Sequence, residues 1–278
     1  MSKKVAYLGP AGTFTEEAAL LYEDKGHLIP FSSISAVAAA VETGIAEEGV
    51  AAIENSIEGS VTETLDLLIH ESKLLIRHEL VLPIEHHLLV KPGTQSDEIK
   101  IIFSHPQALG QCRRFVERCF PKIEIVAALS TAAAVEEMMS DPSPSAAIGT
   151  RRAATLYGAI ILANNIQDQS PNLTRFVVLA PTDHPRTGHD KTSLCFSFSD
   201  DRPGLLYEVL REFAERNINL TKVESRPSKE SLGRYVFLVD FEGHHEDALI
   251  DEVMAMVRAQ ASLFKVFGSY PRYVEENK

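Results

Sequence analysis

Val5-Ala6-Tyr7-Leu8-Gly9-Pro10-Ala11-Gly12-Thr13-Phe14-Thr15-Glu16 passes from an apolar run, through a turn holding two glycines, into a helical pattern. Glycine lets the backbone turn tightly, and Thr13 with Glu16 has the spacing of a capping box, so the stretch reads as strand, turn and helix. The N–H groups and dipole at such a helix start suit an anion, although a plain strand-to-helix turn accounts for the same residues. Outward from this unit the alternation repeats. Apolar runs at 50–53, 99–103, 123–127, 146–148, 160–162 and 176–179 are separated by helix-period stretches at 16–24, 36–42, 62–71, 109–119 and 132–139. Strand alternating with helix predicts an α/β fold of open, mostly parallel sheets flanked by helices. The apolar segment 80–90 is long enough to cross between two lobes.

The pattern changes after Pro181-Thr182-Asp183-His184-Pro185-Arg186-Thr187-Gly188-His189-Asp190, where prolines, glycine and polar residues without periodicity mark a linker. Strand patterns at 192–198, 220–225, 235–241 and 263–267 interleave with helix patterns at 205–215 and 247–259. The order βαββαβ is the ferredoxin-like arrangement of a small binding or regulatory module. The expected organisation is residues 1–181 as a two-lobed domain, 182–191 as linker and 192–272 as the second module.

Composition excludes several classes. The chain has 278 residues, 45% hydrophobic and 24% charged, ordinary for a globular protein with room for two domains. Its net charge of −12 argues against nucleic acid as a partner, since phosphate binding needs clustered Lys and Arg. A local basic pocket for a small anion remains compatible, because distant charges are screened beyond roughly 8 Å. Cys112 and Cys119 sit seven positions apart on a predicted helix, about 10 Å between Cα atoms and too far for a disulfide. Three sparse cysteines, with no leader pattern ahead of Val5, point to reduced thiols in the cytoplasm. No apolar run reaches 18 residues, so no membrane span is expected.

In open α/β sheets ligands bind beyond the carboxyl ends of strands, so the residues there are the candidate site. They are Gly9 to Glu16; Glu54-Asn55-Ser56-Ile57-Glu58-Gly59-Ser60, with a second capping-box spacing at Ser60 and Glu63; Ser104-His105-Pro106-Gln107, where Ser104 and Gln107 repeat it; and the basic helix start Gly149-Thr150-Arg151-Arg152. Asn172-Leu173-Thr174-Arg175-Phe176 places a hydroxyl beside a guanidinium at the mouth of an apolar strand. The guanidinium fork suits a carboxylate, and the hydroxyl can bond a leaving or attacking oxygen. Together these stretches predict one polar cleft. Ser104-His105 has no evident acidic partner for a triad, and the pairs His86-His87 and His244-His245 lack further ligands at metal spacing.

Gly9-Pro10-Ala11-Gly12-Thr13-Phe14, Glu54-Asn55-Ser56 with Gly59, Ser104-His105-Pro106-Gln107-Ala108-Leu109 and Thr174-Arg175-Phe176 resemble, in order, the motifs of prephenate dehydratases. Arg202-Pro203-Gly204-Leu205-Leu206 and Glu224-Ser225-Arg226-Pro227 resemble those of a phenylalanine-sensing ACT domain, and the likeness covers essentially the whole chain. It departs at Leu205, where the family usually has a small residue, which bears on inhibitor binding and leaves catalysis untouched. With no chorismate mutase pattern ahead of Val5, the chain is similar to the monofunctional form.

The resemblance implies a periplasmic-binding-protein-like catalytic domain that turns prephenate into phenylpyruvate without cofactor or metal. In it Thr174 would act on the departing hydroxyl, and Asn55, Ser104 and Gln107 would serve as further catalytic or orienting groups. Arg175 and Thr13 would hold carboxylates, with Glu54, Ser56 and Phe176 also against the substrate. L-Phenylalanine would bind around Gly204, Leu205, Leu206, Asn219, Glu224 and Ser225 in a homodimer or homotetramer, where two modules meet. Arogenate as substrate, or a catalytically inactive amino-acid sensor, are the alternative readings.

Overall fold

The computed structural model describes residues 2–200, 202–229 and 233–274. Its first sheet is built from β1 (Lys4–Leu8), β2 (His27–Phe31), β3 (Glu48–Asn55), the short β4 (Gly59–Ser60), β5 (Leu75–Pro83) and β11 (Leu173–Ala180). The second holds β6 (His87–Val90), β7 (Ile101–Ser104), β8 (Glu124–Ala127), β9 (Ser145–Gly149) and β10 (Ile160–Ala163). Only segments 84–86 and 164–172 pass between them, giving the two-lobed plan of periplasmic binding proteins. The apolar run 80–90 does cross between lobes, its two halves becoming β5 and β6.

Strand direction departs from the sequence expectation. The first sheet has order β2-β1-β3-β11-β5, with β11 antiparallel to both neighbours. The second has order β10-β6-β9-β7-β8, with β6 antiparallel to both of its own. Both sheets are therefore mixed. Direction follows from the two crossings, since β6 and β11 are the first strands laid down after each and enter the new sheet from the hinge side. Periodicity cannot report this, because side chains alternate alike in either direction.

Helices cover the faces as the apolar spacing requires. On one face of the first sheet α1 (Phe14–Tyr22) buries Ala18 and Ala19 against Val5, Tyr7, Val50, Leu80, Leu82, Phe176 and Val178. On the other, α2 (Ile34–Glu42) and α3 (Thr62–Asp66), with the π-turn Leu67–Glu71, cover Ala6, Ala51, Ile53, Val177 and Leu179. Strand β2 went unpredicted because His27 and Pro30 interrupt its apolar pattern. The predicted helix 109–119 is two helices, α4 (Pro106–Gln111) and α5 (Arg113–Cys119), broken at Cys112. Cys112, Cys119 and Cys195 are free thiols. In the second lobe α6 (Thr131–Ser140) and α7 (Arg151–Tyr157) pack on β9 and β10.

The C-terminal module has the order β12 (Asp190–Ser197), α8 (Leu205–Glu215), β13 (Leu220–Pro227), β14 (Tyr235–Glu242), α9 (Ala248–Gln260) and β15 (Leu263–Pro271), with the sheet arranged β13-β14-β12-β15. Leu194 and Phe196 alternate toward the helices, beside Val209, Phe213, Val253 and Val257. The opposite sheet face does not meet solvent. Cys195, Val236, Leu238, Phe267 and Tyr270 share one buried cluster with Ile76, Val177 and Leu179 of the first lobe. At a fully buried Phe or Leu worth about 1.5–3 kcal/mol each, this seam is a core common to both modules. No helix among the described residues is long and apolar enough to cross a membrane.

Candidate active site

Carboxyl ends of β1 and β3 and the amino end of antiparallel β11 lie on one edge of the first sheet. Ends of β7 and β9 and the start of β6 share an edge of the second. The two edges face each other. Thr150 Oγ1 donates to Gly12 O across the gap at 2.7 Å, and Arg152 reaches Glu16 through Nε at 3.0 Å and Nη2 at 3.2 Å. Gly12, at φ +90°, sits so close to Ala132 and Ala153 that an added Cβ would lie 3.2 Å from each. Burial pushes the Glu16 carboxyl up, but the Arg152 guanidinium and the Gly12 N–H outweigh it and hold it below the usual range.

At the first-lobe edge Thr174 pairs in register with Asn55. Asn55 Nδ2 donates to Thr174 Oγ1 at 2.9 Å and to Asn172 Oδ1 at 2.7 Å, while Asn55 Oδ1 accepts from the backbone N–H of Ile57 and Glu58. Ser56 closes the loop onto β11: its N–H donates to Leu173 O and its Oγ accepts from Leu173 N. One register shift between Arg175 and Phe176 leaves Ile53 of β3 as an extra residue beside the site, a bulge of the kind that re-aims side chains.

Asn172 leads into the second lobe. Its Nδ2 donates to Gln111 Oε1 at 2.9 Å, and Gln111 Nε2 donates to Glu58 Oε1 at 3.1 Å. That donation to a carboxylate fixes which end of the Gln111 amide is oxygen. His86 Nε2, 2.9 Å from the same Oε1, must then carry the proton. His86 Nδ1 is left as a buried lone pair without a hydrogen-bond partner among the described residues. Burial lowers the His86 pKa, so the neutral ring is favoured. Phe14 meets this ring edge-on at 5.6 Å between centroids. A hydroxyl, three amides and an imidazole thus form a continuous uncharged polar chain across the cleft. It can orient an oxygen-bearing ligand and donate to a departing oxygen.

The predicted site residues divide. Thr174, Asn55 and Ser56 come together, and Thr13 caps α1, its Oγ1 accepting from Glu16 N and donating to Pro10 O. Ser104 is buried, with its hydroxyl donating to the His105 carbonyl, and the capping boxes read at Ser104–Gln107 and Ser60–Glu63 do not form. Gln107 is exposed in the first turn of α4, whereas Gln111, unmarked in the sequence, enters the network at the helix break. Phe176 is core, 1% exposed, facing α1.

Arg175, expected beside Thr174 in the cleft, lies elsewhere in this structure. Alternation along β11 turns it away from Thr174, toward the C-terminal module, where Nη1 lies 2.7 Å from Asp240 Oδ2 and Nε 3.4 Å from Glu79 Oε2. Glu54 lies on the same side, 3.6 Å from Arg175 and 3.4 Å from Lys222. Neither is placed against the cleft. What isolated the pair in the sequence was adjacency to Thr174, yet neighbours on a strand point to opposite faces.

In the C-terminal module Gly204, at φ +95°, opens α8 beside a cavity of about 350 Å³ lined by Phe198, Leu205, Leu206, Tyr207 and Tyr235. Asn219 lies beyond the other end of α8, with Nδ2 donating to Glu242. Glu224 turns toward the first lobe and accepts from Ser60 Oγ at 2.5 Å, while Ser225 is exposed. One copy therefore does not gather all six residues. Elsewhere Asp183 joins His244 and His245, with potential ligand atoms within 4.8 Å of one another, a carboxylate that linear spacing could not reveal. His244 directs Nε2 to His184 O and accepts from Glu246 N through Nδ1.

Comparison with known proteins matches residues 5–184 to the family "Prephenate dehydratase" and residues 196–255 to "ACT domain". A bifunctional chorismate mutase/prephenate dehydratase of Aquifex aeolicus is 43% identical, over 97% of this chain and 74% of its own. A prephenate dehydratase of Methanocaldococcus jannaschii is 40% identical, over 98% of this chain and 99% of its own. The solved prephenate dehydratase of Arthrobacter aurescens in complex with L-Phe superposes with a TM-score of 0.88 at 34% identity, covering 97% of this chain and 90% of that one.

Proposed function

Because the chain belongs to the prephenate dehydratase family and carries an ACT domain, we propose that its inter-lobe cleft converts prephenate to phenylpyruvate, CO2 and water, under feedback inhibition by L-phenylalanine. The observation that carries this reading is the Thr174 hydroxyl held by Asn55. Since Asn55 Nδ2 donates to Thr174 Oγ1, the threonine's own proton is available to a second oxygen. Decarboxylation breaks a C–C bond, its electron pair enters the ring, and the C–O bond opposite breaks as hydroxide departs and takes a proton to become water. Aromatisation makes the step downhill, so orientation and stabilisation of the leaving oxygen are what the site must supply. A threonine is a poor acid, and a hydrogen bond that strengthens as charge develops is its role. With Arg175 turned away, substrate carboxylates fall to backbone N–H groups at the starts of α1 and α7.

Residues 1–181 are taken as the catalytic part and 192–272 as the regulatory part, joined by 182–191. Gly204 and Asn219 lie at opposite ends of α8, which favours an inhibitor site completed by a second copy, in a homodimer or homotetramer. The free thiols favour a reducing cytoplasm. The test follows phenylpyruvate formation by the purified chain from prephenate, with arogenate in parallel and phenylalanine titrated. Turnover of prephenate, suppressed by phenylalanine, is expected. Faster turnover of arogenate would move the substrate assignment, and phenylalanine binding without turnover of either would leave an inactive sensor.

A further inference from the structure

The residue after Thr174 is clamped from another domain. The Arg175 side chain is only 13% exposed, and its Nη1 ion pair at 2.7 Å is with Asp240 of β14, in the C-terminal sheet. Asp240 is held in turn: Ser193 Oγ of β12 donates to its Oδ1 at 2.6 Å, and Tyr270 OH of β15 lies 2.6 Å from the same Ser193 Oγ. On the other side Glu79 of β5 faces Arg175 Nε at 3.4 Å and is fixed by Lys191 Nζ at 2.8 and 2.9 Å and by Tyr273 N at 2.8 Å. Every group around the guanidinium is thus pinned by a further partner, and most of these partners lie in the C-terminal module. Burial works against the charge on Arg175, while Asp240, Tyr270 and Glu79 favour it and leave its pKa raised.

Thr174 sits one residue away on the same strand, facing the opposite side. A strand carries a displacement at one residue to its neighbour, because the peptide between them is planar and its hydrogen bonds to β3 and β5 are shared. We infer that Asp240 is a positioning residue for the reaction: by clamping Arg175 across the domain seam it sets where the Thr174 hydroxyl stands relative to Asn55. This rests on Thr174 being the group that acts on the leaving oxygen. It assigns Arg175 to strand placement, where adjacency alone would have given it to substrate binding.

The experiment uses the full-length chain, with steady-state kinetics on prephenate for Asp240→Asn, Arg175→Gln, the double variant and Arg175→Lys. Asp240→Asn should lower kcat roughly tenfold with KM within about twofold. The double variant should fall no further than the worse single, since both remove one clamp. Arg175→Lys, which keeps the charge, should retain more kcat than Arg175→Gln. A control at the same seam but on another strand, Arg226→Gln, breaks the 3.2 Å pair with Asp66 and should leave kcat within about twofold, separating placement of β11 from general loosening. If Asp240→Asn does not fold, Ser193→Ala keeps the Asp240 charge but removes its hydroxyl donor, together with the contact to Tyr270, and should lower kcat about two- to fivefold. Unchanged kcat in a folded Asp240→Asn protein, or unchanged kcat in Ser193→Ala where that variant carries the test, overturns the inference. So does a rise in KM alone for the Arg175 variants, which would return Arg175 to the substrate. Failure of the unmodified chain to consume prephenate would instead remove the functional reading itself.

Discussion

Two polar networks meet at β11, and they are built on opposite principles. On the cleft side Thr174, Asn55, Asn172, Gln111 and neutral His86 pass hydrogen bonds between uncharged groups. Behind the strand Arg175, Asp240, Glu79 and Lys191 form a buried array of full charges. Uncharged groups can exchange partners when a ligand arrives, because each broken bond costs only about 0.5–1.5 kcal/mol net. Buried charges cannot, since parting one such pair costs about 3–5 kcal/mol. The adaptable network therefore faces the cleft, and the rigid one joins the domains.

The largest effect expected tests the rigid side. Ending the chain at residue 181 removes Cys195, Val236, Leu238, Phe267 and Tyr270 from the common core and leaves Arg175 without Asp240. The loss, on the order of 10 kcal/mol, rivals the whole stability of a domain. Circular dichroism melting and dye binding should show a truncated chain without a cooperative transition; an intact one would mean that the seam is only a docking surface.

Next comes the adaptable side. Thr174→Ala should lower kcat roughly a hundredfold or more with the fold preserved, and Thr174→Ser should keep more activity. Near-parental turnover in folded Thr174→Ala would remove the hydroxyl from the mechanism. Gln111→Ala, which opens the chain between lobes, should cost about ten- to a hundredfold in kcat/KM, against less than about twofold for exposed Gln107→Ala. Equal losses at both positions would contradict the network described.

Smaller effects belong to regulation and pH. Gly204→Val forces a β-branched residue into φ +95°, a conformation costing about 1–2 kcal/mol, and should weaken phenylalanine inhibition while uninhibited turnover stays near parental. Inhibition curves unchanged by the substitution would place the effector elsewhere. For Asp240 burial raises the carboxyl pKa, but Arg175 outweighs it and the folded value is depressed. A depressed carboxylate stabilises the fold above its unfolded pKa of about 3.9, and that contribution is lost as pH falls below it. Denaturation of the parent and Asp240→Asn should therefore differ most near neutral pH and converge in acid. A gap that persists in acid would mean that shape, not charge, holds the seam.

Much was legible in the sequence because it depends on local chemistry. The turn at Gly9–Gly12 and the βαββαβ order of the second module follow from short-range spacing, while Asn55 and Thr174 were marked by motifs that resemble a known family's in fixed order. Capping-box spacing alone does not make a cap: Ser60 and Ser104 spend their hydroxyls on Glu224 and on the His105 carbonyl. Gln111 was missed because only the break at Cys112, which no pattern announces, brings it to Asn172.

What the sequence determined by itself was which segments alternate and which residue types stand at strand ends, since these arise from interactions within a few residues. Tertiary structure alone decided that β6 and β11 run against their neighbours and that one module's sheet completes the other's core. It also decided that Arg175 meets Asp240 across the domain seam. Each of these depends on residues far apart in the chain, and the strand's alternation of faces gives adjacent side chains different surroundings that local spacing cannot name.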